Sequence, residues 1–246
     1  MGKEMQRAET FARELAELYR GELVSVVLYG SAARGEYREG SSDLNILVLL
    51  REATPSMLRR GSALARGWVA EGNPPPLMLG AEEMRRSLDV FPIEYSDIRD
   101  GHRVLHGEDP FAGLEIDSEH LRLQCEHEIK GKQIQLREGY LLSAEEPEEL
   151  GTLLLRSFPT FLVLFRTVLR LTDSAAAQDA ESVITQMAER VGFSPDALRE
   201  IHQARSRGEA LRPDPAAPVV IGYLEAVART VEFVDRLGEK GRPATA

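Results

Sequence analysis

The chain has 246 residues, 43% of them hydrophobic, one cysteine, and a formal net charge of −10. That apolar share builds one large domain or two modest ones. The negative charge disfavours a broad nucleic-acid surface, which needs clustered Lys and Arg in an attractive field. The lone Cys125 excludes an internal disulfide and a multi-cysteine zinc site, and on a helix it reads as a small buried hydrophobe.

The opening MGKEMQRAETFARELAELYR has no signal-type apolar block, and its Met-Gly is not followed by the Ser or Thr that myristoylation needs at the sixth position. The expectation is a cytoplasmic protein without a membrane anchor. Lys3 to Arg20 predicts an amphipathic helix, with Phe11, Leu15 and Leu18 at helical spacing and Gly21 ending it.

Leu23 to Tyr29 and Asp43 to Leu50 are apolar runs of strand length flanking a polar segment with Gly30, Ser31, Gly35 and Gly40. The segment between predicts a turn and a short helix. Gly30 lets backbone approach a ligand closely, and Ser31 adds a hydroxyl and backbone N–H groups at a helix start, a combination suited to phosphate. Asp43 and Asn45 are two apart and share a strand face, while Leu44 and Ile46 point the other way into a core.

The pattern Gly30-Ser31, a polar spacer, then Ser42-Asp43-Leu44-Asn45 resembles the signature of the polymerase-β-like nucleotidyltransferase superfamily, GS followed by DxD, with Asn45 at the second acidic position. The helical second half resembles, in general layout, small-molecule adenylyltransferases of the aminoglycoside type. The resemblance implies an α+β protein in which Gly30, Ser31, Arg34, Ser42 and Asp43 bind nucleotide. It also implies that Asp43, Asn45 and a third carboxylate on a later strand hold one or two Mg2+ ions, and that an NTP, with ATP expected, is co-substrate. An amide oxygen is neutral, so Asn45 removes one negative charge from that ligand set.

Thr54-Pro55 predicts a helix cap and first-turn proline, the helix carrying Met57, Leu58, Leu64 and Trp68 before Gly72. After Pro74 to Pro76 a short strand is expected at Leu77 to Leu79 and a helical turn at Ala81 to Leu88, an α/β alternation. Asp89 to Ile98 reads as an edge strand, because Phe91, Ile93 and Tyr95 alternate with Pro92, Glu94 and Ser96. Glu94 would then emerge beside Asp43 and Asn45, where the resemblance puts its third carboxylate, and Asp97 is the competing candidate one pleat out of phase. Gly101 to Gly107, with His102 and His106, reads as a turn-rich hinge between domains rather than a metal site.

Strand signals end near Asp117. The expected domains are therefore residues 1–107, a nucleotidyltransferase-like sheet unit, and 108–240, a helical substrate-binding unit, with a disordered tail at 241–246. Leu121, Cys125, Ile129, Leu136 and Tyr140 make a stripe on a long helix, with His120, Glu126, His127 and Glu128 off it. Thr152 to Leu171 is strongly apolar, but Arg156, Arg166, Arg170 and Pro159 make it a kinked core helix rather than a membrane span. Arg156 and Arg166 must there reach solvent, an acid or a bound anion. Further helices are expected near 177–191, 195–207 and 219–237.

The leading functional expectation is transfer of a nucleoside monophosphate from an NTP to a hydroxyl of a small molecule, with Asp43 and Glu94 as the catalytic carboxylates. The alternatives are a nucleotide-binding or regulatory protein that has lost transfer, and an antitoxin-type transferase that modifies a partner protein. Nucleotide and a small acceptor are the expected partners, without nucleic acid or membrane.

Overall fold

The computed structural model describes residues 2–35, 43–172 and 179–239. They form two compact units, residues 1–116 and 117–246. The boundary expected after residue 107 falls nine residues later because Phe111, Leu114 and Ile116 pack into the core of the sheet unit.

The first unit is an α+β layer structure. Helix α1 (Lys3–Tyr19) leads through a 3₁₀ turn to β1 (Leu23–Tyr29). Then follow β2 (Asn45–Leu50), α2 (Pro55–Ala70), β3 (Leu77–Gly80), α3 (Ala81–Arg86), α4 (Pro92–Asp100) and β4 (His102–Gly107). The sheet order is β3-β2-β1-β4, with β1 antiparallel to both β2 and β4 and β2 parallel to β3. Both faces are covered. Leu44, Ile46, Val48 and Leu50 pack with Ala8, Phe11, Leu15 and Trp68 on one side, while Leu47 and Leu49 pack with Met84, Tyr95, Ile98 and Phe111 on the other. This period-two division explains why β1 and β2 read as continuous apolar runs. Helix α2 begins as expected, the Thr54 side chain accepting from Met57 N–H at 3.3 Å and Pro55 in the first turn. Trp68 stacks on Phe11 with ring centroids 4.4 Å apart.

Two expectations are corrected here. Residues 89–98 are not a strand: Pro92 opens helix α4, whose buried residues Ile93, Tyr95, Ser96 and Ile98 follow a helical rather than an alternating pattern. Phe91, which completed the alternation, is 47% exposed. A proline with its fixed φ and no N–H suits the first turn of a helix as well as a sheet edge, and here packing against β2 decides. The expected hinge at 101–107 is instead β4, an edge strand whose Val104 and Leu105 pack on opposite sides of the sheet.

The second unit is a helical bundle of α5 (Ser118–Ser143), α6 (Pro147–Leu171), α7 (Ala180–Val191), α8 (Asp196–Arg207) and α9 (Pro218–Glu239). Helix α6 is long and apolar enough to cross a membrane by length and composition. Its Leu150, Leu154, Phe158, Phe161, Phe165 and Val168 are nevertheless buried, and α5, α7, α8 and α9 all contact it. Pro159 lies inside this helix and lacks the N–H that would bond the carbonyl four residues back. That carbonyl, of Leu155, accepts instead from Arg205 Nη1 of α8 at 2.9 Å. Burial lowers the Arg205 pKa from its ordinary value. Arg156 is exposed, but Arg166 is buried at 5% exposure rather than reaching solvent. Cys125 is fully buried, and burial pushes its thiol up to about 12.

Candidate functional site

The polar end of the sheet is built from the C-terminal end of β1 and the start of β2. Asn45 pairs with Tyr29, and Tyr29 pairs on its other side with His102 of β4, so the three form one row across the sheet. Burial raises the Tyr29 hydroxyl above its ordinary pKa. Directly after Tyr29 the chain turns at Gly30, whose φ of +79° is the left-handed region that side chains rarely adopt. Its carbonyl accepts from both Ala33 N–H at 3.1 Å and Arg34 N–H at 3.2 Å, closing the turn on itself. Ala32 and Ala33 pack onto the core on the α1 side. A Cβ at position 30 would lie 3.1 Å from Asn45 Nδ2, so the glycine also makes room for the asparagine.

Asp43 is exposed and lies just ahead of β2, which begins two residues later than the sequence pattern predicts. Leu44 and Ile46 are buried on the α1 side as anticipated. Asn45 alternates with them and therefore belongs to the face that α4 covers, with Leu47 and Leu49. Ser42 lies outside the described residues, as does the rest of the spacer from 36 to 42.

The structure brings Arg34 and Asp97 together, and this contact is the main addition to the sequence pattern. Arg34 Nη2 lies 2.8 Å from Asp97 Oδ1, the two side chains being 5% and 16% exposed. The same nitrogen donates to the Asp97 main-chain carbonyl at 2.8 Å. A Cβ at Gly101 would lie 2.4 Å from Arg34 Nε and 2.8 Å from its Cζ, so the guanidinium lies against bare backbone where α4 ends. Glu94 is exposed in the first turn of α4, three residues before Asp97 and hence on the same helical face. It is carried by a helix, not by a strand beside Asp43. The later strands, β3 (LMLG) and β4 (HRVLHG), bear no carboxylate.

His102, expected within a turn-rich hinge, instead opens β4. Its ring bridges the Arg99 carbonyl at 2.9 Å and Asp109 Oδ1 at 3.0 Å, and it packs against Phe111. Asp109 also accepts from Phe111 N–H at 2.8 Å, so the cluster anchors residues 109–111 to the sheet. The other histidines named from the sequence, His106, His120 and His127, are exposed.

Among the described residues no group of three or more His, Cys, Asp and Glu converges as a metal cluster. The donors at the turn are the carboxylate of Asp43 and the amide of Asn45. Magnesium is commonly held by one or two carboxylates plus substrate phosphates while keeping several waters, so this pair fits one such ion. A second would need further carboxylates, and neither β3 nor β4 supplies one.

Comparison with protein families agrees with this geometry: residues 8–99 match the family described as "Nucleotidyltransferase domain". The matched stretch begins in α1, spans the Gly-Ser turn, Asp43 and Asn45, and ends in α4. Over those residues the sheet unit thus matches the kind of domain that its motif resembles. Among solved structures, spectinomycin adenyltransferase AAD(9) from Enterococcus faecialis, determined with ATP and spectinomycin, is similar at 12% identity and a TM-score of 0.48. The alignment covers 95% of this chain and 99% of that one. Comparison with curated proteins finds no match.

Proposed function

We propose that the protein transfers a nucleoside monophosphate from an NTP, with ATP the expected donor, to a hydroxyl of a small molecule, releasing pyrophosphate. The observation that carries this reading is the convergence on the Gly-Ser turn of two elements distant in sequence. Asn45 of β2 abuts Gly30, and the acidic face of α4 is fastened to the turn through Asp97 and Arg34. Gly30 and Ser31 hold the phosphates, and Asp43 with Asn45 would hold one magnesium ion. Such an ion, when bound, offsets charge developing on the triphosphate oxygens. Glu94, exposed one helical turn from Asp97, takes the proton of the acceptor hydroxyl.

Calorimetry tests the binding half of this reading. Triphosphate should bind with magnesium and much more weakly with a chelator present, and the nucleoside alone should bind little. Equal, metal-independent binding of nucleoside and triphosphate would sink the phosphate-turn assignment. Pyrophosphate release across a panel of hydroxylated acceptors tests the transfer half. Asp43→Ala or Glu94→Ala should lower release about a hundredfold or more, the scale on which one electrostatic ligand of a transferring phosphoryl group contributes.

A second reading, nucleotide binding without transfer, is favoured by one observation: Asn45 stands at an acidic position and, among the described residues, neither β3 nor β4 restores a carboxylate. It predicts intact nucleotide binding, no pyrophosphate release with any acceptor, and a gain in magnesium affinity on Asn45→Asp.

A further inference from the structure

We propose that Asp97 is a positioning residue for the nucleotide site and that Arg34, rather than touching phosphate, is the strut through which Asp97 holds the Gly-Ser turn.

Three contacts from one segment converge on the Arg34 side chain: the Asp97 carboxylate, the Asp97 carbonyl and the bare backbone at Gly101. With 5% of the side chain exposed, an incoming phosphate cannot reach the guanidinium unless these contacts open. The guanidinium's charge is already matched by a carboxylate at 2.8 Å, and the same Nη2 is also engaged by the Asp97 carbonyl. At its main-chain end, Arg34 donates to the carbonyl of Gly30, and Gly30 in turn lies against Asn45. One continuous path thus runs from α4 through Asp97, Arg34 and Gly30 to the side chain of Asn45. It fixes the orientation of the turn that carries Ser31. A buried pair of this kind is costly to half-remove, because the remaining charge is left desolvated and unmatched. Of the other acids on α4, Asp100 pairs with Arg99 at 3.2 Å, and Glu94 is exposed.

Two measurements test the strut, and only one depends on the nucleotide reading above. The first is amide hydrogen exchange over residues 30–35 in the unliganded protein, recorded well below each variant's melting temperature. Asp97→Asn, Arg34→Gln and Gly101→Ala should each speed exchange there, with the rest of the sheet unchanged. Gly101→Ala keeps both charges and serves if Asp97→Asn does not fold. Unchanged exchange at 30–35 in the folded variants overturns the proposal whatever the protein binds. The second is affinity for ATP with magnesium. Asp97→Asn and Arg34→Gln should each weaken it about tenfold, the scale of one charge-assisted hydrogen bond, and the double variant no further than either single one. If instead Asp97→Asn binds ATP as tightly as wild type or more tightly while Arg34→Gln loses affinity, Arg34 is a phosphate ligand and the strut is wrong. Failure of the wild type to bind ATP with magnesium would overturn the functional reading alone, and the exchange experiment would still decide the strut.

Discussion

Two arginines, Arg34 with its side chain buried in the sheet unit and Arg205 half-buried in the bundle, show how different the task of such a charge can be. Arg34 meets a carboxylate and ties an irregular turn to a helix at the open, polar end of a sheet. Arg205 meets a neutral main-chain carbonyl and fills the gap that Pro159 leaves in α6. The first joins two segments 63 residues apart at a place where side chains for chemistry gather. The second maintains one helix of a packed bundle. Burial of a cation alone does not mark a site; the identity of the partner and the irregularity of the backbone it holds do.

Removing the partner rather than the arginine breaks the comparison most sharply. Asp97→Ala leaves Arg34 withdrawn from water beside no counter-charge and should destabilise the sheet unit by about 3 kcal/mol in urea unfolding, the range for half-broken buried pairs. Arg205→Ala leaves only a carbonyl without its donor and should cost about 1–2 kcal/mol. That loss should be largely recovered by adding Pro159→Ala, because alanine restores the missing N–H within the helix. Failure of the second substitution to rescue would show that Arg205 contributes through packing instead.

These contacts also mark where the sequence was and was not readable. Helices α1 and α2, strands β1 and β2 and the core role of α6 follow from periodicity over long segments, where 3.6 and 2 are easily separated. Residues 89–98 failed because Phe91, Ile93 and Tyr95 alternate over a short span, and only the exposure of Phe91 and the burial of Ser96 and Ile98 distinguish helix from strand. Strand β4 was hidden by the glycines that bound it. At the site, Gly30, Asp43 and Asn45 lie within one short segment and their grouping is local. Asp97 was visible as a candidate, but its pairing with Arg34 depends on where α4 crosses the sheet. Pro159 was legible as a break in a helix, whereas its remedy lies 50 residues away from the carbonyl it serves.

Smaller effects sharpen the same contrast between charge that is shielded and charge that water screens. Asp179 caps α7, accepting from the Ser182 N–H at 2.9 Å and the Ser182 hydroxyl at 2.6 Å. These bonds, the hydroxyl's first, hold its carboxyl below the ordinary 3.8. Its contribution is therefore fully present above that unfolded value and is lost as pH falls through the lower folded one. Asp179→Ala should therefore lower stability at neutral pH by about 1 kcal/mol, the scale of a lost N-cap, and flatten the acid limb, wild type and variant converging as the pH falls. Cys125, with its thiol pushed up to about 12 by burial, should resist alkylation at mildly alkaline pH and react only when the bundle opens.

The single tryptophan of the chain lies in the sheet unit, 3% exposed and stacked on Phe11 between α1 and α2. Selective tryptophan excitation therefore reports on that unit, while helical circular dichroism is weighted toward the bundle. The chain thus contains its own two-channel optical read-out: damage at Asp97 should appear first in the emission of Trp68, and damage at Arg205 should leave that emission in place while ellipticity falls.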